Sequence, residues 1–222
     1  MIVDRDKARK PLIYIFAGLF LFVIILSWLY SPLLNLLDEF FTEFLSGRNN
    51  GFLKVFFWIG ANLSRPIFSF LVTLFCAFLL WGNNFKIPAA WFLFTMLGSM
   101  LADSLLTLLL QFPAPSDKPT SIGRSFPSLA VLMTFLLIQF FFVIVVPEFN
   151  KRAKKVKNRT IIFMILWLIL VCFAVIACQY NTIIDVFSAL IFGYAWFMFS
   201  EEFYFSYARI FVKLNIFRGS WI

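Results

Sequence analysis

Asp103 and Asp185 stand inside runs of apolar sequence long enough to cross a bilayer, in a chain of 222 residues that contains no histidine. An ionisable group at membrane depth is costly and marks a candidate site. Polar neighbours in sequence point to the same places. Thr107 follows Asp103 by one helical turn and shares its face. Lys118, Arg124, Ser125 and Ser128 lie in or beside one Pro-rich connection, and Gln179-Tyr180-Asn181-Thr182 immediately precede Asp185. Two carboxylates, hydroxyls, an amide and two cations can hold a charged ligand, and they can equally satisfy one another. For Asp185 the plain alternative is a place in the first turn of a helix, where the dipole favours an anion. For Lys118 and Arg124 it is solvation. Without imidazole the set lacks the side chain most used for proton transfer near neutral pH.

The elements that carry these residues are membrane spans. Hydrophobic residues make up 62% of the chain, more than a soluble domain of this length can bury. Segments 11–30, 88–111, 128–146, 160–177 and 183–199 each approach the ~20 residues a spanning helix needs. The first is too long and too bulky at its end for a cleaved leader. Segment 52–81 is too long for one straight span, and Ser64-Arg65-Pro66 divides it. A serine cap and a proline in the first turn predict a helix over 52–63 at the interface and a short span over 66–81. The expectation is an all-α membrane protein with six transmembrane helices in a single domain, 1–222. Polar groups are expected to be scarce in the inner halves of the spans.

Orientation follows from the basic residues. Fourteen of the 19 fall before span 1, between spans 2 and 3, between spans 4 and 5, or after span 6. The positive-inside rule makes that side cytoplasmic, with both termini inside. The net charge of +8 is then a matter of topology and anionic lipid, and no nucleic-acid partner is expected.

Outside the spans, Leu33, Leu36, Leu37, Phe40, Phe41 and Phe44 form one stripe and Asn35, Asp38, Glu39, Thr42 and Glu43 the other, which predicts an amphipathic outer helix over 33–46. A further amphipathic helix is expected over 201–217, at the inner interface. Cys76, Cys172 and Cys178 read as packing residues. The N-x-S/T matches at Asn62 and Asn158 do not read as glycan sites, one lying at the membrane surface and the other on the cytoplasmic side. No metal or cofactor is expected.

The order of these parts resembles the type 2 phosphatidic acid phosphatase (PAP2) superfamily of six-span lipid phosphatases, over nearly the whole chain. The family carries the motifs KxxxxxxRP, PSGH and SRxxxxxHxxxD. Segment TLLLQFPAP is similar to the first, with Thr107 in the lysine position, Ala114 in the arginine position and Pro115 retained. SFPSLAV is similar to the second: Pro127 and Ser128 remain, while Leu129 and Ala130 replace glycine and histidine. AVIACQYNTIIDV is similar to the third, with Val175 for arginine, Asn181 for the nucleophilic histidine and Asp185 retained.

The resemblance implies a PAP2-like bundle with an outward-facing phosphate site, commonly in a bacterial inner membrane. In that family one histidine attacks phosphorus, another protonates the leaving group, and lysine and arginine hold the phosphate oxygens. Asparagine cannot replace imidazole as nucleophile, alanine supplies no proton, and loss of the cationic clamp removes the stabilisation phosphoryl transfer depends on. The expectation is therefore a pseudophosphatase that binds a lipid phosphate or pyrophosphate through Asp103, Lys118, Arg124, Ser125, Ser128, Asn181 and Asp185 without hydrolysing it. An Asp103–Arg124 pair either replaces the lost phosphate site or neutralises buried charge. The alternatives are a phosphatase or phosphotransferase using other residues, a lipid transporter or flippase, and a structural subunit with a membrane-protein partner.

Overall fold

A chain surrounded by hydrocarbon must satisfy its own backbone N–H and C=O groups, and a helix does so within one segment. The computed structural model describes residues 10–29, 32–46, 51–110, 126–145, 154–211, 217 and 220. Among these, the regular structure is helical throughout: α1 (Lys10–Trp28), α2 (Pro32–Ser46), α3 (Phe52–Leu63), α4 (Pro66–Gly82), α5 (Lys86–Leu110), α6 (Leu129–Phe140) running into a π turn (Phe141–Val145), α7 (Lys154–Ala177) and α8 (Ile183–Phe211).

Four of these, α1, α5, α7 and α8, are long and apolar enough to cross a membrane. A fifth span is obtained by taking α3 and α4 together across their 54° bend. α6 with most of the π turn is apolar but short. By length and composition, then, the described residues show four to five spans, not the six expected. α4 alone has 17 residues, which at about 1.5 Å per residue falls short of the ~30 Å hydrocarbon layer.

Pro66 occupies the first position of α4, where its missing N–H removes no helical bond. Ser64 does not cap α4. Its hydroxyl turns back to the carbonyls of Gly60 (2.8 Å) and Ala61 (3.2 Å) and closes α3 instead. α5 tolerates Pro88 for the same reason as α4, because it lies in the first turn. α7 begins at Lys154, ahead of the expected 160, since lysine and arginine are good helix formers.

The expected separate helix over 201–217 is not separate. α8 continues unbroken through Ser200-Glu201-Glu202 to Phe211, because no proline or glycine interrupts the chain there and Glu201 is buried against the bundle. Glu202 meets Lys10 of α1 at 3.0 Å, tying the start of α1 to the far end of α8.

α6 sits at the centre. Val131, Leu132, Met133 and Leu136 are fully buried and pack with Met96 of α5, Val171 and Val175 of α7 and Val186 and Ala189 of α8. Two glycines set the helix spacing: a Cβ on Gly98 would stand 2.7 Å from the Trp196 ring, and one on Gly193 2.8 Å from Phe135. Without hydrophobic drive between helices in lipid, such close approach supplies the packing. α1 lies outermost, touching α8 through Phe16–Tyr194 and Phe20–Phe192.

The halves of the helices nearest the basic end, which the sequence reading takes as the inner halves and expects to be poor in polar groups, do carry some. Thr95 and Ser200 are fully buried there, and Glu201 nearly so. Both hydroxyls bond to carbonyls of their own helix, Thr95 to Trp91 and Ser200 to Phe197, so apolar packing hides them at little cost.

Candidate functional site

At the end of the bundle where α5 finishes and α6 and α8 begin, polar side chains meet. Ser128 is the N-cap of α6: its carbonyl accepts from Leu132 N at 2.9 Å, while its own N–H donates to the Asp185 carbonyl at 3.1 Å. Its hydroxyl donates to Asn181 Oδ1 at 2.9 Å instead of capping its own helix. One residue thus fastens the first turn of α6 to α8 and to the turn before it.

That turn closes tightly. Gln179 takes the left-handed conformation (φ 57°), Tyr180 N donates to the Val175 carbonyl at 2.9 Å, and Asn181 N does so at 3.3 Å. Thr182 and Asp185 then cap α8 reciprocally: Thr182 N donates to Asp185 Oδ2 at 2.8 Å, and Asp185 N to Thr182 Oγ1 at 3.3 Å. This is a capping box with Asp in the acidic place. Asn181 Nδ2 adds a longer bond to the same Asp185 oxygen, at 3.4 Å. Asp185 is fully buried and sits in the first turn of α8, so the helix-dipole reading of this residue is the one its hydrogen bonds describe.

Thr107 approaches from α5. Its hydroxyl accepts from Phe126 N at 3.1 Å and donates to Phe126 O at 3.4 Å, holding the residue that leads through Pro127 into Ser128. Asp103, one turn deeper, is 2% exposed. Among the described residues its buried Oδ1 has no hydrogen-bond partner. A buried, unsatisfied carboxylate oxygen is uncommon and calls for an explanation.

Of the residues singled out in the sequence, Asp103, Thr107, Pro127, Ser128, Asn181 and Asp185 gather here. Ala130 follows in the first turn of α6, partly buried, and Val175 is buried with its carbonyl engaged in the turn. Ala114, Lys118, Arg124 and Ser125 lie outside the described residues. Among the described residues no group of three or more His, Cys, Asp and Glu could hold a metal ion.

Of two further participants, Thr182 is one of the polar residues the sequence places just before Asp185, and Asp38 is not among the residues it points to. Thr182 belongs to a T-x-x-D pattern that signals a capping box by itself. Asp38 had no such signal. It belongs to the polar stripe of α2, and its Oδ1 accepts from Ile183 N at 2.9 Å, so α2 reaches the N-terminus of α8.

Apart from Asp103 Oδ1, the polar groups of the cluster satisfy one another. Asn181 is an amide bonded on both sides, Thr107 is a hydroxyl committed to the backbone, and Val175 is buried. Among the described residues the cluster offers hydrogen bonds and two carboxyl groups, but neither a nucleophile–base pair nor a cation.

The fold and this cluster define a class: an all-helical chain with several long apolar helices, the build of a multi-pass integral membrane protein. Comparison with family models, with curated proteins and with solved structures finds no match to the chain.

Proposed function

We propose that the chain is a non-enzymatic, PAP2-like membrane protein that binds a lipid phosphate or pyrophosphate at the polar end of α5, α6 and α8 without hydrolysing it. This reading takes α4 and α6 as short spans beside the four long helices, giving six. The basic end of the bundle, with Lys10, Lys86, Lys155, Lys157 and Arg159, then lies in the cytoplasm, and the Ser128–Asn181–Asp185 cluster faces outward. A bacterial inner membrane is the proposed location.

The observation that carries the reading is the convergence of Thr107, Ser128, Asn181 and Asp185, from three separated stretches of sequence, in one hydrogen-bonded cluster. These are motif positions of the phosphatase resemblance, with Ser128 and Asp185 retained and Thr107 and Asn181 standing for the lysine and the nucleophilic histidine. Arg124 and Lys118 provide the positive charge a phosphate requires, and Arg124 is two residues from Phe126, which Thr107 holds.

The test is to titrate the purified chain in nanodiscs with phosphatidic acid and with a polyprenyl pyrophosphate, following binding by native mass spectrometry and phosphate release in parallel. Saturable binding without release is expected, weakened roughly tenfold by Arg124→Ala, since a charge-assisted hydrogen bond contributes about 1.5–3 kcal/mol. Release that disappears in a folded Asp185→Ala variant establishes an enzyme with other residues instead. Absence of saturable binding leaves a structural subunit.

The unpartnered Asp103 oxygen favours a second reading of the same end. In that reading the positive charge of Arg124, which lies outside the described residues, serves to neutralise the Asp103 carboxyl, so the cluster serves the fold and no anion is bound.

A further inference from the structure

A cleft of about 860 Å³ separates α4 from α7, floored by α6 and the π turn. Its origin is the break at Ser64–Arg65. The 54° bend swings α3 onto α7, where Gly60 lies against Leu170 and Ala174, while α4 packs on α5 and α6. α4 and α7 therefore diverge toward the basic end of the bundle. The π turn falls at that level, and Phe141 and Ile144 from it line the cleft.

The walls are hydrocarbon, with Val72 and Leu79 on α4, Leu137 on α6 and Trp167 on α7 among them. Thr134, one of the few polar groups, already donates to the Ala130 carbonyl at 2.8 Å. Such a cavity does not recruit water, because water needs two or more polar partners. Its flanks carry Phe68, Val72, Leu79 and Phe163 uncovered by protein, so the cleft opens onto the same surface that α4 and α7 turn to the bilayer. In a membrane the occupant is a hydrocarbon chain.

The open end is chemically distinct. The lining ends at Asn83 and Phe85 on one side and at Phe163 on the other. Lys86 follows Phe85 directly, and Arg159 precedes Phe163 by one helical turn on the same face of α7. Lys157 stands two turns before Met164, another lining residue. An apolar slot with cations at its mouth matches a molecule with an acyl chain and an anionic head.

We propose that this cleft is a lipid-binding site that holds an acyl chain of an anionic phospholipid, with its phosphate at Lys86, Arg159 and Asn83. The site is separate from the polar cluster at the opposite end and does not depend on what that cluster binds. Juxtamembrane cations attract anionic headgroups, so each charge removed lowers the preference for anionic lipid roughly fivefold.

The experiment presents the purified full chain with equal amounts of phosphatidylglycerol and phosphatidylcholine of identical acyl chains and reads retained lipid by native mass spectrometry. Phosphatidylglycerol is expected to be retained preferentially. Lys86→Gln with Arg159→Gln should remove that preference, and Thr134→Phe, which fills the cleft, should lower retention of both lipids. Equal retention of the two lipids by the wild-type chain, or a preference unchanged by the double charge variant, overturns the proposal.

Because a cleft-filling variant can misfold, a second measurement uses the wild-type chain alone. Phosphatidylglycerol carrying a diazirine on its acyl chain is photolysed in nanodiscs and the labelled peptides are mapped. Adducts concentrated on 68–85, 134–144 and 163–167 are expected. Adducts spread evenly over the lipid-facing side of α1 as well indicate annular lipid only and overturn it too.

Discussion

The Ser128 hydroxyl donates to the Asn181 side-chain oxygen across 2.9 Å, joining the first turn of α6 to the turn that feeds α8. Both groups are buried, and Asn181 passes the connection on to Asp185. In the phosphatase resemblance the Asn181 position belongs to a nucleophile. Here it is the middle link of a chain that fixes two helix N-termini against each other.

If that bond is structural, its two partners are coupled. Ser128→Ala and Asn181→Ala should each destabilise the chain by about 1–3 kcal/mol, since each leaves a buried polar group unmatched. The double variant should lose less than the sum, with a coupling of about 1 kcal/mol. Thermal unfolding in one detergent measures all four corners. Strictly additive losses would show that the bond carries no stability.

Asp38 should matter out of proportion to its place on an amphipathic helix. Its carboxylate takes the Ile183 N–H at the N-terminus of α8, where anions are favoured. Asp38→Ala should cost about 1 kcal/mol, in the range of a lost cap. It should also make α2 more accessible to protease, while Glu39→Ala should change neither property. Indistinguishable digestion of the two variants would remove Asp38 from this role.

Arg124 and Asp103 can be tested as a pair. Should Arg124 neutralise the buried carboxylate, Arg124→Ala costs about 3 kcal/mol, because it strands a charge away from water. Adding Asp103→Asn should then restore most of the loss. An Arg124→Ala variant as stable as the wild type, with weakened lipid-phosphate binding, favours the binding reading instead.

Gly98 has no room for a side chain. A methyl group there meets the Trp196 ring at 2.7 Å, and Trp196 is itself held by a 2.9 Å bond from Nε1 to the Thr95 carbonyl. Gly98→Ala should destabilise by about 1–3 kcal/mol through overpacking. Combining it with Trp196→Leu should cost less than the two changes added separately. Gly18→Ala, which meets nothing within 4 Å, serves as the neutral control.

Local chemistry was legible wherever a single residue controls the backbone. Pro66 announced the start of α4, and Asp185 was readable as a first-turn anion because its role is played within four residues of sequence. Ser200-Glu201-Glu202 misled for a related reason. A polar triplet looks like the end of a span, but burial decides whether it meets headgroups, and burial is a property of neighbouring helices. Asp38 shows the limit most clearly: its partner is 145 positions away, and no local pattern encodes that distance.

The sequence by itself determined that the chain is apolar and helical, and that it has no imidazole with which to do chemistry, because composition and helical periodicity are local quantities. Only the tertiary structure decided that Thr107 grips Phe126, that Ser128, Asn181 and Asp185 satisfy one another, and that one Asp103 oxygen has no partner among the described residues. Those outcomes depend on how three helix ends meet, and packing between distant segments sets that geometry.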